Sequence, residues 1–435
     1  MSAGNPWSAG RPLSPVETPA EGAAHEVPTA ARQLPSAYDA AEAPTTPTDL
    51  RPHLLTEFVG QRGDVFGLAF RAGVITILTL GFYRFWMKTR LRRWYWSSIR
   101  PGGVPMEYTG DPVEKLLGFL MAVVVMAFYI GIVNLILMFV SFSLLANNFA
   151  AYAVSFLGVI PIWFYALYRS RRYVLARTRW SGIRFGLDQG AWGYAGRALV
   201  HWLVTICTLG LLWPRMSFYL EKYITDRTWF GTVRLEQGGH WQMLYRPFIA
   251  VIIPILLGAA ALGFGIMTGQ PSYFASFGGS LIWFLFAMIY YRVASQRIMA
   301  NHKRAGTIGL QSKVRATRVV GIYVGGYFLT YLSVLIPAGI MAVVFFGLDD
   351  PVSMANRLQD GRWLLILTTA IFYFGIFLLW SVLQHTFVTM PLWRHYAETL
   401  TILGADGLVE VRQRPRDEFS EAEGFAEALD LGAAI

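Results

Sequence analysis

The sequence predicts an all-α polytopic membrane protein of about six spanning helices plus two re-entrant or short Thr-Leu-Gly segments, with short cytoplasmic β-strands between modules. Three observations predict it. Of 435 residues, 54% are hydrophobic and only 15% are charged, with a mean hydropathy of +0.42, which leaves too little polar surface for an ordinary soluble domain. Uncharged runs such as Leu116 to Leu145 reach the length of about 20 residues that a spanning helix needs. Finally, an apolar run that ends in Thr-Leu-Gly and hands over to a helix of arginines and aromatics occurs at Ile75 to Trp96 and again at Thr205 to Tyr223.

Met1 to Leu50 is rich in Pro, Ala, Ser, Thr and Glu without apolar periodicity, and reads as a disordered tail. It holds no basic region followed by an apolar one, so insertion is expected to use internal spans. Residues 51–247 carry two repeated modules with Thr-Leu-Gly segments and spans, 248–400 a divergent third module, and 401–435 a cytoplasmic C-terminal tail. Glu57 to Gly63 reads as a strand and turn. The run that follows it is interrupted by Arg71, leaving about a dozen uncharged residues before Arg84, too short to span.

Leu116 to Leu145 and Phe149 to Tyr168 are the first pair of spans, the second kinked at Pro161 and the two joined by the uncharged Ala146-Asn147-Asn148. Phe248 to Met267 and Leu281 to Val293 form the next pair. Val320 to Phe346 and Leu364 to Val388 form the last, separated by Asp349-Asp350-Pro351. Arg84 to Arg100, Arg169 to Arg184 and Arg292 to Arg318 then belong in the cytoplasm by the positive-inside rule. Ala198 to Pro214 has basic residues on both flanks, which a single crossing does not satisfy. If both Thr-Leu-Gly segments enter and leave on the cytoplasmic side, every basic loop falls inside and both termini are cytoplasmic. Whether they cross decides between six and eight spans.

A second repetition follows the basic helices. Arg171-Arg172-Tyr173 leads to Trp180-Ser181-Gly182-Ile183-Arg184-Phe185, and Glu221-Lys222-Tyr223 leads to Trp229-Phe230-Gly231-Thr232-Val233-Arg234. Alternation after each glycine predicts short strands that pair beneath the helices.

Thr79-Leu80-Gly81-Phe82-Tyr83-Arg84-Phe85-Trp86, Tyr108-Thr109-Gly110, Arg177 to Phe185 and Thr208-Leu209-Gly210-Leu211 resemble the YjgN-type family of bacterial inner-membrane proteins of unknown function. The tail Glu423 to Leu431 is similar to that family's C-terminal end. The third module departs from it, with Val334-Leu335-Ile336-Pro337 where a Thr-Leu-Gly would stand. The resemblance implies the bacterial inner membrane and supplies no catalytic residues.

The formal charge of +10 sits in loops beside apolar runs, as expected of loops facing anionic lipid, and no nucleic-acid-binding motif accompanies it. The single cysteine, Cys207, excludes a disulfide or a cysteine-based metal site within one chain. No phosphate-binding glycine loop, His-Glu-x-x-His or Gly-x-Ser-x-Gly occurs, and no metal, cofactor or catalytic residue is assigned. Acidic residues are missing from every predicted span, which weighs against a proton-driven carrier. The intramembrane polar residues are Asn134, His201, Gln384 and His385, read as packing contacts before proton relays.

The sharper candidate is the helix bearing Arg84, Trp86, Lys88, Arg90, Arg92, Arg93 and Trp94, whose aromatic and basic composition suits a lipid-headgroup interface. Gly81 and Gly210 are the helix breaks, either caps that admit a left-handed turn or openings along a path. The glycine pairs Gly265/Gly269 and Gly321/Gly325 have the spacing of close helix packing. The expected function is a non-enzymatic transport, permeation or lipid-interacting protein. The alternative is a structural or scaffolding membrane protein that binds cytoplasmic partners. Membrane lipids, anionic ones above all, are the expected partners, with a homo-oligomer left open.

Overall fold

The computed structural model describes residues 53–415 apart from 129–130, 133, 146–147, 342 and 344–362. The predicted tail Met1 to Leu50, the connections at Ala146-Asn147 and Asp349-Asp350-Pro351, and the similarity at Glu423 to Leu431 lie outside the described residues.

Among the described residues there are ten short strands: β1 (His53–Phe58), β2 (Ile99–Pro101), β3 (Met106–Tyr108), β4 (Thr178–Trp180), β5 (Ile183–Leu187), β6 (Thr228–Phe230), β7 (Val233–Gln237), β8 (Lys303–Ala305), β9 (Ile308–Ser312) and β10 (Leu400–Leu403). They form one antiparallel sheet in the order β2-β1-β10-β9-β8-β7-β6-β5-β4-β3. The two ends of that order, β2 and β3, are consecutive in the chain with only residues 102–105 between them. The sheet therefore curls into a near-closed ring.

This ring corrects the all-α class that the composition predicts. A strand of three residues carries too little alternation to announce a sheet by itself. Closure supplies what length does not, because nearly every strand gains two hydrogen-bonded neighbours and little edge is left open. The turns are locally encoded: Ser181 and Gly182 both take positive φ, 52° and 77°, making a two-residue hairpin between the paired Trp180 and Ile183.

Helices leave the ring in groups of two or three and return to it. Between β1 and β2 run α1 (Arg62–Leu78) and α2 (Arg84–Ser98), and between β3 and β4 run α3 (Pro112–Phe128), α4 (Asn134–Leu145) and α5 (Asn148–Ala176). α6 (Ala191–Cys207) and α7 (Trp213–Thr225) join β5 to β6, and α8 (Tyr245–Thr268) and α9 (Pro271–Asn301) join β7 to β8. Between β9 and β10 lie α10 (Ala316–Met341), α11 (Trp363–Gln384), a π-helical turn (His385–Thr389) and α12 (Met390–Glu398).

The predicted six spans are corrected as well. Among the described residues, four stretches are long and apolar enough to cross a membrane: Trp241–Thr268, Pro271–Asn301, Ala316–Ile340 and Thr369–Glu398. Of the predicted span Leu116 to Leu145, the described parts belong to α3 and α4, and residues 129–130 and 133 between them lie outside the described residues. The predicted Phe149 to Tyr168 lies within α5, which carries Pro161 in its interior and is not among the four.

The ring has its own core. Trp180, Phe230, Ile308 and Ile402 come from β4, β6, β9 and β10 and meet Val411 of the segment that follows β10. That segment crosses β6 and β7 at their turn, where Thr232 N donates to the Arg412 carbonyl at 2.9 Å and Arg412 N donates to Thr232 Oγ1 at 3.2 Å. Gly231, at φ +55°, is required there, since a Cβ would run into the Arg412 carbonyl.

Candidate functional site

The α1/α2 and α6/α7 hairpins end in the two Thr-Leu-Gly turns, and their geometry is the same in both. α1 and α6 are each 17 residues long, and their caps, Thr79 and Thr208, share φ −96° and ψ 18°. The next residue is left-handed although it is leucine: Leu80 at φ 51° and Leu209 at φ 50°, followed by Gly81 at 92° and Gly210 at 86°. Leu80 N donates to Ile77 O at 3.0 Å and Gly81 N to Thr76 O at 2.7 Å, the pairing that closes a helix end on itself.

Every backbone N–H from Thr79 to Arg84 has a partner within the hairpin, including Tyr83 N, which donates to Thr79 Oγ1 at 3.0 Å. The second turn repeats the set from Thr208 to Trp213, with Leu212 N donating to Thr208 Oγ1 at 3.4 Å. Thr76 and Thr205 brace the arms, each donating one turn back, to Ala72 O and His201 O, and each lying near a sulfur of the returning helix, Met87 or Met216. A turn whose N–H donors are all used internally has fewer groups that call for water.

What it presents outward is apolar. Leu80 and Leu209 are 92% and 94% exposed, and Leu78, Phe82, Ile206 and Leu211 around them are exposed too. A leucine in the left-handed region costs roughly 1–2 kcal/mol. The sequence drew attention to the glycines, whose side of the turn faces open space, whereas the residues that carry both strain and exposure are the leucines before them. The signal was available as the repeated Leu in Thr-Leu-Gly.

The predicted headgroup residues divide into two groups. Arg84 and Arg90 are exposed beside the first tip, Trp86 stacks on Tyr83 with ring centroids 6.1 Å apart, Arg90 lies over that same ring at 5.6 Å, and Lys88 is half-buried. Arg92 is buried instead, donating to the Tyr108 hydroxyl at 3.3 Å and lying 5.2 Å over its ring. Arg93 donates to Gly110 O at 2.9 Å, and Trp94 packs edge-on against Phe58 at 6.3 Å. Arg92 and Trp94 thereby tie α2 to β3 and β1, and Arg93, although exposed, ties it to the residues after β3.

Of the polar residues that the sequence places at membrane depth, three make packing contacts. His201 stacks on Tyr219 at 5.5 Å, inside the second hairpin. His385 opens the π-helical turn, where the Tyr95 hydroxyl lies 3.4 Å from its Nδ1 and donates to its carbonyl at 3.4 Å. Gln384 donates to the Tyr327 hydroxyl at 3.5 Å. The side chain of Asn134 lies outside the described residues.

Sequence reasoning missed a charged cluster between helices and ring. Glu221 of α7 meets Lys303 of β8 at 2.6 Å and Arg171 of α5 at 3.2 Å, joining the two repeated basic segments that the sequence shows separately. Burial alone would raise the Glu221 carboxyl, yet the two cations hold it well below the usual carboxylate range. The cluster borders a cavity of about 900 Å³, also lined by Arg292 and Arg297. Glu221→Gln is expected to cost about 1–2 kcal/mol, less than a fully buried pair because Glu221 keeps 21% exposure. Because the folded pKa is depressed, this contribution is whole above the roughly 4.3 of an unfolded glutamate and is lost as pH falls toward the folded value. Thermal unfolding in detergent across acidic pH checks it: the wild type loses its advantage over the Gln variant on the acid side only.

Aromatic rings face the cations along the same layer. Arg177 and Arg227 lie 3.8 and 3.7 Å over the rings of Tyr173 and Tyr223, each one turn earlier in its helix and just before a strand. A family model described as "Bacterial protein of unknown function (DUF898)" matches residues 53–428. The chain belongs to this family. DUF898 is the YjgN-type family that the Thr-Leu-Gly and Arg-Thr-Arg-Trp segments resemble. No curated protein and no solved structure matches the chain. For this DUF898 chain, the functional reading therefore rests on its own residues.

Proposed function

We propose that this is a lipid-interacting, multi-pass protein of the bacterial inner membrane, without catalytic chemistry of its own, whose ring and both termini are cytoplasmic. The single observation that supports it is the pair of hairpin tips. Two leucines are held left-handed and more than nine-tenths exposed, on turns whose backbone donors are all used internally. Strain of this kind persists only where the surrounding structure enforces it, and the feature it enforces here is an apolar point.

The second tip is shallow. Tyr245, the first residue of α8, donates to Leu211 O at 2.9 Å, so the second turn lies level with the start of a candidate span. Lower down, the Tyr291 hydroxyl donates to Ser217 at 3.4 Å, next to Arg292, the first charge after the apolar part of α9. This supports wedges that enter the boundary between headgroups and acyl chains, about 5–10 Å, in place of a deep re-entry. The repeated modules place one wedge on each of two hairpins, with Arg84 and Arg90, or Arg215, one or two turns back at headgroup level.

A lipid role is favoured over a permeation path because the tips point outward and do not line the central cavity. The ring interior is also packed with Trp180, Phe230 and Ile308. Scaffolding of cytoplasmic partners has no comparable feature in its favour. Topology is tested by single cysteines at Glu107, Glu236 and Gln270 in a Cys207→Ala background, probed on intact spheroplasts with an impermeant thiol reagent. The reading predicts labelling at position 270 alone. Labelling at 107 or 236 would place the ring outside and overturn it.

A further inference from the structure

We propose that the groove between α10 and the end of the α11–α12 helix binds one anionic phospholipid, its phosphate in a basic mouth and an acyl chain along a glycine-lined face. The groove is a cavity of about 980 Å³, at the upper end of the roughly 300–1,000 Å³ typical of small-molecule sites. It is separate from the hairpin tips and rests on the reading that the ring side of the helices meets headgroups.

Its mouth is strongly basic. Arg62, Lys313, Arg315, Arg318 and Arg394 line it against a single acid, Glu398. Glu398 lies 3.8 Å from Arg394 Nε, and that nitrogen is buried with no hydrogen-bond acceptor. Among the described residues, no carboxylate pairs with Arg62, Lys313, Arg315 or Arg318. Five cations gathered against one carboxylate call for an anion, and the positive end of α10, next to Arg315 N, which donates to His395 Nε2 at 3.2 Å, adds to the same field.

Above the mouth the lining becomes apolar in register with the helix. Arg318, Ile322, Gly325 and Leu329 follow one another at three- and four-residue steps, with Gly321 beside them, so cation and apolar stripe share one face of α10. The stripe runs about 16 Å up from Arg318 to Leu329. Gly321 and Gly325 have the spacing of close helix packing, yet a Cβ on either meets nothing within 4 Å. Gly326, in contrast, is the true contact, since its Cβ would come 2.5 Å from the Phe387 carbonyl of the π-helical turn. Contact at Gly326 and absence of contact at Gly321 and Gly325 leave an open furrow, walled by Phe387 and Met390. A free phosphate would use the mouth and leave the furrow empty, so the furrow commits the site to a lipid.

The test uses the full-length protein in nanodiscs of phosphatidylglycerol and phosphatidylcholine, with retained lipids counted by native mass spectrometry. The wild type is expected to keep one phosphatidylglycerol preferentially. Arg315→Gln with Arg318→Gln should lower that preference about fivefold for each charge removed. Gly321→Leu with Gly325→Leu fills open space and raises helix propensity, so the fold persists while the retained lipid is lost.

Unchanged retention in both variants would overturn the inference, as would soluble glycerol phosphate displacing the lipid at equal concentration, since that makes the site an anion site without an acyl part. A wild type that washes off membranes in alkaline carbonate would overturn the membrane reading itself. A protein that stays embedded with unchanged lipid in the variants would overturn only the groove.

Discussion

Replacing both tip leucines with aspartate, Leu80→Asp and Leu209→Asp, is expected to release the hairpins from the bilayer while leaving the fold intact. Aspartate tolerates the left-handed region better than leucine does, so each change relieves part of the roughly 1–2 kcal/mol of local strain. Thermal stability in detergent should therefore hold or rise slightly. In a membrane the same change places a carboxylate where a leucine stood. The cost is about 3 kcal/mol at the centre of a bilayer and less near the boundary, so each tip should lose on the order of tenfold in partitioning. Leu80→Gly with Leu209→Gly separates the two effects: strain falls, no charge is added, and the apolar point is lost. Protease or thiol protection of the tips in vesicles measures the outcome. Equal protection in wild type and Asp variants, with equal stability, would mean that the strained leucines serve something other than lipid.

Trp180→Ala is expected to be the most damaging single substitution in the ring, at about 3–5 kcal/mol, because it empties the place where four strands meet. Its ring lies 5.6 Å from that of Phe230, and its Nε1 is buried without an acceptor among the described residues. Trp180→Phe should therefore fall within about 1 kcal/mol of wild type, since it keeps most of the packing and removes a donor that has no partner. Chemical unfolding followed by tryptophan fluorescence distinguishes the cases, with Trp192→Ala, a change at a 66% exposed position, as the control. A mild Trp180→Ala would show that the strands are appendages of the helices and have no core of their own.

How far the sequence announced this molecule differs from one level to the next. The apolar runs of α8 to α11 are visible in composition, because a helix that can cross a membrane must be long and apolar. The Thr-Leu-Gly segments are visible as a repetition, and the structure gives both the same cap, the same left-handed leucine and the same threonine brace. The short strands after Gly182 and Gly231 are visible as alternation, but their closure into a ten-stranded ring was hidden, because three-residue strands such as Thr178–Trp180 become a sheet only when neighbours from distant parts of the chain arrive. β1 pairs with β10, a partner from the far end of the described chain.

The headgroup helix was half legible for the same reason. Nothing local to Arg92 reveals that Tyr108 will lie across it, so a buried arginine and an exposed Arg90 look alike in sequence. Glu221 shows the limit from the other side. Its two partners come from α5 and β8, and only the return of every helix group to the ring brings them together.

The shallow wedge is the claim on which the rest depends, and the chain carries its own probe for it. Cys207, the only cysteine, is exposed and is the last residue of α6, immediately before Thr208 of the second tip. An environment-sensitive fluorophore attached there, with the protein reconstituted in vesicles containing nitroxide lipids, reports the depth of the tip. The result expected is strong quenching by nitroxides near the headgroup end of the acyl chain, weak quenching by those at the chain end, and protection from aqueous iodide. Quenching by iodide at the rate of the free dye would contradict it.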